Sequence, residues 1–208
     1  MRPILMIEGL KNLHDARYCA AVGISMVSFD LDAGSETALT PTVVKEIVEW
    51  LSGLENIGRF GYDSGESIAE KAAAALVGRV MLPVGCDLEE AANVDLPKIF
   101  DASQETLTAN LLQRLQTISG RFPESLFLLA ALPDGAVSAQ WATDLKPFMG
   151  RSILRYDSPD AIYHQLNLQG LQQPYGFSLG NFATDESGLL DYDACDSFLD
   201  RFETLVPA

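Results

Sequence analysis

The chemistry open to this chain lies in charged side chains that end apolar runs. ILMIE ends in Glu8, ISMVSFDL carries Asp30 with Asp32 just beyond, and LPKIFDA carries Asp101. NIGRFGY holds Arg59 and ends in Tyr62, and RSILRY ends in Arg155 and Tyr156, followed by Asp157. A carboxylate delivered by a strand into a partly apolar pocket has its charged form disfavoured, so its pKa rises and it can act as a general base. Glu8 is the candidate for that role. The competing arrangement is an ion pair with Arg59 or Arg155, because an unpaired buried carboxylate is costly. Asp30, Asp32 and Asp101 could join Glu8 around a divalent cation through oxygen ligands. A solvated acidic rim is the alternative that so acidic a chain favours, and no metal is expected. Arg155 suits an anion, or an internal pair with Asp157. Asn181 and the backbone at Gly180 can donate hydrogen bonds to a ligand.

Other chemistries leave no trace. There is no nucleophile elbow, no phosphate-cradling glycine loop and no dinucleotide fingerprint. Cys19, Cys86 and Cys195 are scattered and odd in number, which argues against a disulfide framework and for reduced packing residues. His14 and His164 fall on helix-like stretches and read as surface or packing residues. Trp50 and Trp141 also fall on helices and read as core or interface. No cofactor is expected.

The elements that must position these residues alternate. Eight strand-like runs are separated by helix-like stretches along 208 residues. Most of the strands are short apolar runs, as expected for strands covered on both faces. Thr40-Pro41 reads as a helix cap and first position, Ser64 or Ser67 as another cap, and Gly23 as a helix stop. A long amphipathic helix is expected from Gln104 onward, with Leu107, Leu111, Leu112 and Leu115 on one stripe. The fourth connection leaves room for one helical turn, and the sixth helix reads as weak and ended near Pro147. The pattern predicts a single (β/α)8 TIM barrel over 1–208, with shortened fourth and sixth helices. In that fold the strand C-termini carry the chemistry, which is where Glu8, Asp101 and Arg155 fall.

Composition narrows the partners. The net charge is −15, with 14 basic and 29 acidic residues. Such a surface repels phosphate backbones and anionic lipid, so nucleic acid and membrane partners are disfavoured. Hydrophobic residues make up 48% of the chain, enough for a sizeable core, and no apolar run is long enough to span a bilayer. The expectation is a cytoplasmic protein, monomer or homodimer, with a small-molecule ligand, a sugar phosphate among the candidates.

Several segments resemble one family. Met6-Ile7-Glu8-Gly9-Leu10-Lys11-Asn12, then Asp15-Ala16 and AAVG ending at Gly23, are similar to the opening of the phosphoribosylanthranilate isomerases of tryptophan biosynthesis. SFDLDAGSETALTPTVVKEIV, IGRFGY, ILRYDSPDAI and YGFSLGNFATDESGLLDYDACDSFLDRF resemble that family's second, third, seventh and terminal segments. The resemblance implies a (β/α)8 barrel and an Amadori rearrangement, which needs a base at a sugar carbon and an acid at the ring oxygen. It places Glu8 where the family has its Cys base and Ala130 where it has its Asp acid, so Asp134 or Asp101 would supply the acid. It places Thr37 at the family's substrate-gripping Arg, Tyr156-Asp157 at the first phosphate-binding glycines, and Gly180-Asn181-Phe182 at the second. The resemblance therefore implies two expectations. One is a sugar-phosphate isomerase with Glu8 as substitute base and Asp30, Arg59, Arg155, Tyr156, Gly180 and Asn181 around the substrate. The other is a non-catalytic, ligand-binding relative that keeps the barrel.

Overall fold

Six helices begin where a side chain can satisfy their free backbone N–H groups. Asn12 accepts from Asp15 N at 2.9 Å, Thr40 from Val43 N at 3.3 Å and Ser64 from Ser67 N at 3.3 Å. Asp87, Thr108 and Asp191 do the same. The computed structural model describes residues 2–130, 139–156, 160, 162–163, 173–179 and 189–206. The first half runs β1 (Ile4–Ile7), α1 (Leu13–Ala21), β2 (Met26–Asp30), α2 (Pro41–Val48), β3 (Glu55–Arg59), α3 (Gly65–Ala75), β4 (Arg79–Pro83) and α4 (Leu88–Ala92). The second half runs β5 (Lys98–Ala102), α5 (Ala109–Arg121), β6 (Leu126–Ala130), α6 (Ala139–Met149), β7 (Ser152–Tyr156), β8 (Gly176–Leu179) and α7 (Tyr192–Leu205). Neighbouring strands pair in parallel and in chain order, and β8 closes on β1. This is the predicted (β/α)8 barrel.

Some boundaries differ from the sequence reading. The helix expected from Gln104 starts at Ala109, because the Thr108 hydroxyl accepts from Leu111 N and fixes the first turn there. The fourth helix is short, five residues, as expected. The sixth is not short: α6 runs eleven residues and carries Pro147 inside its last turn. Proline lacks an N–H and so cannot donate the helical bond at that position. Trp50 falls in the turn after α2 rather than on a helix and is 70% exposed, so it is not in the core, and the interface half of the expectation stands open. The helix read near Ser158-Pro159 lies largely outside the described residues, as do His164 and the side chain of Trp141.

The core has two layers. Inside the barrel, Met6, Met26, Ile57, Met81, Ile99, Leu126, Leu128 and Ile153 fill the lumen. Between sheet and helices lies a larger layer that includes Phe29, Phe100, Phe127, Phe177, Phe198 and Phe202. Strand side chains alternate between these layers, which is why the strands read as continuous apolar runs. Cys19, Cys86 and Cys195 are all buried, and none forms a disulfide among the described residues.

Two features close the ends of the chain onto each other. A Cβ on Gly176 would lie 2.4 Å from Ile4 Cγ1 and 2.6 Å from Ile4 O, so only glycine lets β8 approach β1. Asp15, 3% exposed, accepts from Asn12 Nδ2 at 2.8 Å, from Leu190 N at 3.4 Å and from the Tyr192 hydroxyl. That carboxylate ties α1 to the segment entering α7.

Candidate active site at the barrel mouth

Strand parity decides which side chains reach the mouth. Glu8 is two residues beyond Met6, Arg59 two beyond Ile57, Asp101 two beyond Ile99 and Arg155 two beyond Ile153. All four reference residues point into the lumen, so these four continue the inward row toward the strand C-termini. Ala130 follows Leu128 in the same way. Tyr156 has the opposite parity. It is buried in the outer layer against Phe177, with ring centroids 6.0 Å apart, so its ring is not part of the mouth.

A chain of polar contacts crosses the mouth. Ser178, fully buried on β8, donates its hydroxyl to Glu8 Oε1. Arg155 Nε lies 3.5 Å from the same Oε1. Arg155 Nη1 donates to Ser103 Oγ at 3.3 Å, and Ser103 donates from both its hydroxyl and its N–H to Asp101 Oδ1, at 2.7 and 2.9 Å. Glu8 Oε2 makes no hydrogen bond among the described residues. Burial pushes the Glu8 carboxyl above its ordinary range. Arg155 and the Ser178 hydroxyl act against that shift, Asp101 adds to it, and Arg59 opposes it. One oxygen of Glu8 is therefore anchored while the group as a whole resists losing its proton.

The second strand's carboxylates organise a loop. Asp30, 5% exposed, accepts from the Ser35 and Thr37 hydroxyls at 2.6 and 2.7 Å and from Asp32 N at 3.2 Å. Asp32 accepts from Gly34 N at 2.9 Å. These bonds take both oxygens of Asp30, so its carboxylate braces the β2–α2 connection. Among the described residues no group of three or more His, Cys, Asp or Glu converges closely enough to hold a metal ion. A cleft of about 260 Å³ opens on the β3–β5 side of the mouth, with Met81 at its base and Arg59, Asp32, Tyr62, Asp101, Gln104 and Glu105 around it. Asp134, Asp157, Gly180 and Asn181 lie outside the described residues.

No family model matches the chain, and no curated protein does. Solved structures do. A phosphoribosylanthranilate isomerase from Thermus thermophilus superposes with a TM-score of 0.78 at 22% identity, covering 97% of this chain and 99% of that one. Monomers generated from the dimeric phosphoribosylanthranilate isomerase of Thermotoga maritima give 0.72 at 18% identity, over 97% and 99% of the two chains. The chain has the fold of the phosphoribosylanthranilate isomerases. KGPDC from Streptococcus mutans also matches, with a TM-score of 0.68 at 11% identity over 99% of both chains, so the barrel is shared beyond that activity.

Within the isomerase-like barrel, Glu8, Asp101, Arg59 and Arg155 come together at the mouth as their strand-end positions suggested. Sequence reasoning missed Ser178 and Ser103. Ser178 left one signal, a lone hydroxyl at inward parity in the apolar run GFSL. Ser103 left none, since its link to Arg155 depends on how β5 and β7 face each other across the lumen.

Proposed function

We propose that this barrel catalyses a proton-transfer isomerisation of aldose-to-ketose type on a small polyhydroxylated substrate held at the mouth, with Glu8 as the base. The observation that carries the reading is the state of Glu8. Its Oε1 is fixed by Ser178 and Arg155, its Oε2 makes no hydrogen bond among the described residues, and its pKa is raised. A base works best when its pKa lies closer to the operating pH and its orientation is set in advance. Asp101, on the Arg155–Ser103 arm of the same chain of contacts, and Asp134 are the groups that could return a proton to the substrate oxygen. Arg155 and Arg59 would steady negative charge that develops as the sugar ring opens.

The resemblance names a phosphoribosyl aminoaldose, and with it a step of tryptophan biosynthesis, as the first substrate to test. Gly180, Asn181 and the chain after Tyr156 would then face its phosphate. The protein works as a monomer or homodimer in this reading. The assay is turnover of freshly prepared phosphoribosylanthranilate, followed by loss of its fluorescence, with Glu8→Gln alongside. Turnover should rise with pH as Glu8 ionises and should collapse in the variant by about a hundredfold or more. Equal turnover by the variant would remove Glu8 as base.

One observation favours a second reading. The 3.5 Å approach of Arg155 to Glu8 is the internal ion pair expected of a mouth that binds without reacting. No turnover above buffer from folded protein would select this binding-only barrel.

A further inference from the structure

We propose that the cleft on the β3–β5 side of the mouth is a subsite for a monocarboxylate whose remaining polar groups are hydrogen-bond donors, hydroxyl or ammonium, rather than for a phosphate dianion. The proposal rests on the mouth being a ligand site, as in the reading above, but not on turnover.

The charges of the cleft give the reason. Arg59 projects from the end of β3, is exposed, and makes no ion pair among the described residues. This is so although Asp32, Asp101 and Glu105 line the same cleft. The other guanidinium of the mouth, Arg155, is already engaged by Glu8 and Ser103. One free guanidinium matches one carboxylate through two parallel hydrogen bonds and leaves no charge over. A phosphate dianion on Arg59 would keep a net negative charge facing three carboxylates, which is repulsive.

The remaining lining calls for donors. Asp101 Oδ1 is satisfied by Ser103, whereas its Oδ2 has no partner among the described residues. Glu105 also makes no side-chain bond there. Both accept and neither donates, so they suit hydroxyl or ammonium groups. Tyr62, 78% exposed, stands at the rim and offers a flat apolar wall. Asp32 packs so closely on Gly61 that a Cβ there would lie 2.4 Å from Asp32 Oδ2, so the glycine keeps this wall thin. A cleft of about 260 Å³ is below the usual range for drug-sized ligands and fits a small metabolite.

The test is calorimetry together with backbone amide shift mapping on the wild-type chain and on Arg59→Gln, which alters an exposed side chain. The probes are sodium gluconate, serine, sorbitol and inorganic phosphate. Gluconate or serine should bind with shifts at Arg59, Gly61 and Gln104, at least tenfold more tightly than sorbitol or phosphate. Arg59→Gln should abolish that preference, since a charge-assisted pair is lost. Phosphate binding at Arg59 as tightly as gluconate, an unchanged preference in Arg59→Gln, or no binding of either carboxylate would each overturn the proposal. A chain that binds gluconate through Arg59 yet shows no isomerase turnover would overturn the previous section's reading and leave this one standing.

Discussion

Replacing Arg155 by Met should turn the mouth into a pH-dependent weak point. At 3.5 Å and an effective dielectric constant of about 20, the Arg155–Glu8 attraction is on the order of 5 kcal/mol before desolvation is counted. Both side chains are largely but not fully buried, 20% and 13% exposed, so the net loss should fall below that. Removing one partner of a buried pair typically costs about 3–5 kcal/mol, and about 2–4 kcal/mol is expected here. For a chain of this size that corresponds to a Tm roughly 5–15 °C lower. The sign of the pH dependence follows from Glu8. Its folded pKa is already raised above the ordinary 4.5, and losing Arg155 removes the largest influence that lowers it. The folded state then holds a proton that the unfolded state has released, so stability falls as pH rises through that window, by at most about 1.4 kcal/mol per pH unit. Thermal melts at pH 5 and pH 8 should show Arg155→Met nearly matching the wild type at pH 5 and well below it at pH 8. Adding Glu8→Gln should restore most of the loss at pH 8. An equal loss at both pH values, or a double variant no better than Arg155→Met, would refute the electrostatic account and leave lost packing as the cause.

The three thiols should be silent toward a disulfide reagent at pH 8 in the folded protein and react fully after denaturation. All three are buried, and burial pushes Cys19 up to about 12, Cys195 to about 11 and Cys86 upward. Gly176→Ala should lower stability by about 1–3 kcal/mol in denaturant melts, because the new Cβ meets the Ile4 backbone at 2.6 Å and the β8–β1 seam must open. Asp15→Ala should cost about 2–4 kcal/mol, since it strands the Tyr192 hydroxyl and Leu190 N–H, and Tyr192→Phe should cost less because Asp15 keeps its other donors.

Much of the barrel was legible in the chain because its determinants are local. Apolar runs of four or five residues, punctuated by caps such as Thr40-Pro41 and Ser64, depend only on neighbouring residues. Strand-end residues could be picked out for the same reason, and Glu8, Arg59, Asp101 and Arg155 do share one mouth. Local pattern misplaced Tyr156 because adjacent strand residues face opposite layers, and only the barrel fixes which layer is the lumen. Of the two places read for Trp50, core or interface, its exposure removes the core, because α2 ends at Val48 and carries Trp50 past the packed turns.

What the sequence determined by itself is the alternation of strand and helix, the net charge of −15 and the presence of a carboxylate at the end of the first strand. What the tertiary structure decided is the company that carboxylate keeps. Ser178 is 170 residues away in the chain, and Arg155 and Asp101 come from other strands, yet closure of β8 onto β1 sets them around Glu8. The pKa of a buried group depends on distances and desolvation that no spacing along the chain encodes.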